Sequence, residues 1–113
     1  MKVLTTVQGS YVTGTEIADA IIRCHHAVTA TREIDCISVP FVADGGGLRW
    51  VTILVGPPYG IDAEAIDSST PELVDPAVIA RVEDRIRDVR PYTSTPFTSD
   101  DMRWAEGMQG LAW

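Results

Sequence analysis

Cys24-His25-His26 and Cys36 are the residues of this chain best equipped for metal chemistry, since thiolates and imidazoles are the ligands zinc prefers. Their spacing works against it. Successive helical residues point about 100° apart, so Cys24, His25 and His26 cannot converge on one ion unaided. Cys24 falls in an apolar helical stripe and Cys36 alternates with Ile34 in a strand-like run, so both read as small buried hydrophobes. No metal and no cofactor is expected. A nucleophilic thiol needs partial exposure in an electropositive setting, the only two histidines are neighbours, and there is no G-x-S-x-G elbow. Catalysis therefore has no positive support. His25 and His26 stay as candidate ligand-binding residues, in a pocket between their helix and the hairpin that follows.

Gly9-Ser10-Tyr11-Val12-Thr13-Gly14-Thr15-Glu16 has the G-x-x-x-x-G frame of a phosphate-binding loop. Thr15 stands where a lysine should reach phosphates, and Glu16 where a hydroxyl should hold magnesium. A carboxylate at the helix start also repels the anion that would bind there. Nucleotide hydrolysis is rejected. The stretch reads instead as a turn leading into a capping box of Thr13 and Glu16.

The aromatic residues carry more information. Glu33 to Gly56 contains two apolar, β-branched runs around Asp44-Gly45-Gly46-Gly47, a hairpin signature. A two- or four-residue loop sets Phe41 opposite Trp50, Val39 opposite Thr52 and Ile37 opposite Leu54. A three-residue loop slips the register and swaps the faces of one strand. Both faces are largely apolar in either case, so each needs cover. Pro40 has no N–H for a ladder, which places its strand at a sheet edge or a bulge; Val51 to Val55 then reads as a central strand. Ile37, Phe41, Trp50 and Leu54 are candidate interface residues, joined by Trp104 and Trp113 from the end of the chain.

Other elements must position this hairpin. Lys2 to Gln8 is a short first strand and Gly9 to Val12 a turn. A helix follows to about Thr29, with Ile17, Ile21, Cys24 and Val28 as its buried stripe and Asp19–Arg23 an exposed pair. Ile61 to Ile66 has room for one helical turn. Asp75-Pro76 is an N-cap followed by proline at the first helical position, starting a helix with a stripe of Val78, Ile79, Val82, Ile86 and Val89 and a Glu83–Arg87 pair. The expected fold is α+β, a small two-layer β-α-β-β-α domain over residues 1–90. Its three-stranded mixed sheet has the order 1-3-2, a split β-α-β arrangement. Residues 91–113 form a C-terminal extension.

Length and composition bound the rest. At 113 residues, 45% hydrophobic and 22% charged, the chain is one globular domain. Its apolar runs are too short for a membrane span of roughly 20 residues. No signal peptide is visible, and two cysteines point to a reducing, cytoplasmic setting. The formal charge is −7, and residues 61–80 hold five acids and no base. Nucleic-acid binding is disfavoured, because it needs clustered Lys and Arg; a basic protein partner for the acidic 61–80 segment fits better. The expected function is a non-catalytic binding or assembly domain acting as a homodimer. The alternative is a small-molecule enzyme or ligand-binding protein using His25 or His26.

Overall fold

The structure is a computed structural model and describes residues 1–89. The C-terminal extension, with Trp104 and Trp113, lies outside the described residues. The elements in order are β1 (Lys2–Thr6), β2 (Gly9–Thr13), α1 (Thr15–Thr29), β3 (Asp35–Val42), β4 (Leu48–Val55), β5 (Asp62–Ala65) and α2 (Pro76–Asp88). The strands form one antiparallel sheet in the order β4-β3-β2-β1-β5. Among the described residues, no helix is long and apolar enough to cross a membrane.

The chain is thus α+β, but the three-stranded mixed sheet of order 1-3-2 is wrong. Two segments account for the difference. Gly9 to Val12, expected to turn the chain, is the body of β2. The turn comes earlier, where the Thr6 hydroxyl accepts the Gln8 N–H at 3.0 Å and donates to the Gly9 carbonyl at 3.1 Å. Side-chain bonds of this kind replace the glycine- and proline-rich signatures by which turns are usually recognised. Ile61 to Ile66, expected to have room for a helical turn, holds β5, whose Leu4↔Ala63 register adds it to β1. With β1 and β2 paired as a hairpin, the path through α1 to β3 is no parallel crossover.

The β3–β4 register is also shifted by one residue. Ala43 and Gly47 close the hairpin through the Ala43 N–H and Gly47 carbonyl at 2.6 Å, leaving the three-residue loop Asp44-Gly45-Gly46. Gly45 and Gly46 both have φ of 92°, a left-handed backbone that glycine adopts without penalty. Phe41 is therefore opposite Arg49, Pro40 opposite Trp50 and Ile37 opposite Ile53. Because side chains alternate, the slip puts Trp50 on the face opposite Phe41.

One core joins both helices to one face of the sheet. Leu4, Val39, Phe41, Ile53 and Val55 pack with Ile17, Ile21, Cys24 and Val28 of α1 and Val78 and Val82 of α2. The α1 and α2 stripes are as the periodicity predicts. The start of α2 is too: Asp75 accepts the Val78 N–H at 3.2 Å, with Pro76 next. The start of α1 differs. Its N-cap is Gly14, and Thr13 is buried with its hydroxyl donating to the Pro40 carbonyl at 2.9 Å. The Glu72 carboxylate, 57 residues away, accepts the Thr15 N–H instead. Gly14 lies so close to Leu73 that a Cβ would stand 1.8 Å from its carbonyl oxygen. Other partners displace the expected helical ion pairs. Asp19 meets Lys2 at 2.6 Å and Arg23 meets Glu83 of α2 at 3.4 Å, both tertiary contacts, while Arg87 meets Asp84 one turn back in α2.

Candidate binding surface

With both helices committed to the core face, the other face of β3 and β4 carries Cys36, Ser38, Pro40, Val42, Leu48, Trp50, Thr52 and Leu54. None of these side chains is charged. Pro40 is buried and Val42 and Leu54 are half-buried, while Leu48 is 58% and Trp50 52% exposed. The structure divides the candidate interface residues between two faces. Trp50 and Leu54 are on this outer face. Ile37 and Phe41 belong to the inner one, where Phe41 lies against Tyr11 with ring centres 4.7 Å apart. Trp50 does not stack on Phe41; the Arg81 guanidinium of α2 stands 5.7 Å from the centre of its ring.

The two edges of this hairpin are treated differently. On β4, the Gln8 side-chain amide donates to the Thr52 carbonyl at 3.1 Å and accepts the Leu54 N–H at 3.0 Å. One side chain so occupies the donor and acceptor that a further strand would use. It also fixes the phase of the hairpin: even-numbered residues turn their peptide groups away from the partner strand. In β3 these are Cys36, Ser38, Pro40 and Val42. Pro40 therefore removes no hydrogen bond from the β3–β4 ladder, and β2 meets β3 only at Val12↔Val42. This is why a proline sits in a strand inside the sheet order, while β4, expected to be central, is the terminal strand.

Beyond Val12↔Val42 the β3 edge has no strand of the described residues beside it. Helix α2 runs along it, leaving an open groove of about 520 Å³ lined by Asp35, Cys36, Ser38, Arg81, Val82 and Arg85 among others. Side chains cover the backbone here. Arg81 donates to the Ser38 carbonyl, Asp35 accepts the Cys36 N–H at 2.8 Å, and Arg85 is bound to Asp35.

The residues with chemical potential elsewhere have structural work. His25 accepts the Gly56 N–H through Nδ1 at 3.0 Å, tying α1 to the end of β4. Burial, and then neighbouring His26, push its imidazole below the ordinary histidine range. His26 is exposed, so the pair does not converge. Cys24 is buried in the core, where desolvation raises its thiol pKa, whereas Cys36 is exposed and not the buried hydrophobe its strand suggested. No group of three or more His, Cys, Asp and Glu residues among the described residues is placed to hold a metal ion. Within the acidic connector, Glu72 binds the N-terminal ammonium at 2.7 Å as well as Thr15, contacts that hold its carboxyl down at about 2.

Gln8, Arg81 and Glu72 were invisible as functional or structural anchors in the sequence. Each acts on residues 31 or more positions away, and no local periodicity records such a contact. Comparison of the chain with protein-family models, curated proteins and solved structures finds no match.

Proposed function

We propose that this chain is a non-catalytic binding or assembly domain that works as a homodimer, two copies burying the outer faces of β3 and β4 against each other. The observation that carries the reading is the absence of charge from that face, together with the exposure of Leu48 and Trp50. An antiparallel strand with one solvated face alternates apolar residues inward with polar and charged residues outward. Here the chain has 9 basic and 16 acidic side chains and places none of them at these eight positions. Two copies of formal charge −7 repel, so a patch of strand residues that carries no acidic side chain, with the cationic Arg81 over its aromatic anchor, is where they meet at least electrostatic cost. Tryptophan at the centre of such a patch is the residue type that most often dominates association energy. Val7, 63% exposed in the turn next to Gln8, extends the apolar surface.

The Gln8 clasp favours face-to-face burial over pairing of β4 edges, because the edge hydrogen bonds at Thr52 and Leu54 are already made. Substituting Leu48→Glu and Trp50→Glu together puts charge at the centre of the patch and leaves the core untouched. The double variant should sediment at the 12.3 kDa chain mass while the wild type sediments near twice that value. Equal masses for the two proteins contradict the reading.

Asp62 and Glu64, exposed on the terminal strand β5, support a second contact with a basic protein. Such binding should weaken steeply with added salt. The alternative of a small-molecule site built on His25 or His26 has less support, because His25 Nδ1 is engaged by Gly56. Two free thiols, one of them exposed, fit a reducing cytoplasmic setting.

A further inference from the structure

We propose that the open edge of β3 beside α2 is a docking site for an extended peptide segment of a partner protein, which adds as a strand and places a carboxylate side chain on Arg81. This surface is the edge of β3 and borders the outer face assigned above to the homodimer, sharing Cys36 and Ser38 with it.

Three observations carry it. First, the edge is open among the described residues: β2 leaves β3 after Val12↔Val42, so the outward peptide groups of Cys36 and Ser38 face a groove and not a described strand. Strand addition takes its affinity from such main-chain groups. Second, the groups now covering the edge imitate a strand. The Arg81 guanidinium stands where an incoming N–H would donate to the Ser38 carbonyl, and the Asp35 carboxylate stands where an incoming carbonyl would accept the Cys36 N–H. Both are side chains that can swing aside when a backbone arrives.

Third, of the two arginines that line the groove only Arg81 lacks an ion pair with a described residue, and Asp88 is the one carboxylate of the lining that lacks one. Arg85 is bound to Asp35, and Arg87 to Asp84. Arg81 forms no ion pair with a described residue; it rests on a carbonyl oxygen and over the Trp50 ring. A guanidinium has five N–H donors in a fork that fits a carboxylate. The partner that completes the groove therefore has two features: a free, non-proline backbone in extended form, and a Glu or Asp side chain opposite Arg81.

The test uses the full chain and fluorescein-labelled octapeptides of alternating valine and threonine, with glutamate, glutamine or lysine at one central position. The glutamate peptide should bind at least tenfold tighter than the glutamine or lysine peptides, with the amide signals of Cys36 and Ser38 shifting most in NMR spectra. Arg81→Gln should abolish the preference for glutamate. Ser38→Pro should abolish binding of all three while sparing the β3–β4 ladder, because position 38, like Pro40, points its N–H outward. No binding at millimolar peptide overturns the proposal. So does a glutamate preference that survives Arg81→Gln, or shifts that cluster away from β3 and α2.

Discussion

Gln8, in the turn between β1 and β2, holds β4 by both the Thr52 carbonyl and the Leu54 N–H, at 3.1 and 3.0 Å. A primary amide has the same donor and acceptor as a peptide group, so Gln8 acts as a one-residue strand on the terminal strand of the sheet. Exposed strand edges template pairing with other chains, and proteins block them by several devices. Gln8→Ala should unblock this one. The variant should lose about 1 kcal/mol of stability, the scale of a hydrogen-bond pair net of solvent. Its rate of aggregation at 37 °C, followed by light scattering, should rise well above that of the wild type. An unchanged aggregation rate shows that the edge is protected by something else.

Much of the core was legible in the sequence and much of the sheet was not. The stripes of α1 and α2, from Ile17 to Val28 and from Val78 to Val89, follow helical periodicity, which is a local property and survives any tertiary arrangement. The Asp75-Pro76 start of α2 is local in the same way. The sheet depends on choices that are not local. Thr6 closes the β1–β2 turn with its hydroxyl, so Gly9 to Val12 lacks a strand's usual composition and still pairs. Three glycines in a row allow hairpin loops of two, three or four residues. Only the bond between Ala43 and Gly47 decides among them. That single step moves Trp50 from the core side to the open side, and with it the composition of the candidate surface.

The bond between His25 and Gly56 makes stability depend on pH in a defined direction. His25 accepts through Nδ1, which it can do only when neutral, and its pKa in the folded chain is lowered from 6.5. The unfolded chain therefore binds the proton more readily. This contribution is complete above pH 6.5 and is lost as the pH falls from 6.5 through the depressed folded value. Urea midpoints measured from pH 8 to pH 5 should decline in the wild type. In His25→Ala that part of the decline should vanish, with a constant loss of about 1–3 kcal/mol from the unpaired Gly56 N–H. A parallel pH dependence in the two proteins rules out His25 as its source.

Glu72 gives a second pH effect at the opposite end of the scale. Its bond to the N-terminal ammonium, and then those to Thr15, hold its carboxyl at about 2, below the ordinary 4.5. The folded state thus favours the ionised form, so the contribution is present above pH 4.5 and is lost as the pH falls from there toward 2. An NMR titration of the Glu72 side-chain carbonyl should place its midpoint near 2, and acetylating the N-terminus should raise it. A midpoint near 4.5 in the unmodified protein shows that the contact between Glu72 and the ammonium does not persist in solution.

On the outer face of β3 and β4, seven uncharged side chains surround an exposed Trp50. Whether two copies bury this face against each other is read from the mass of the full chain in solution, by light scattering on a size-exclusion column at concentrations from about 5 to about 200 μM, the span of a micromolar dissociation constant. The mass should be near twice 12.3 kDa at the upper end and fall toward 12.3 kDa on dilution, and it should stay at 12.3 kDa throughout the range for Leu48→Glu with Trp50→Glu. A wild-type mass of 12.3 kDa across the whole range means that this face does not join two copies.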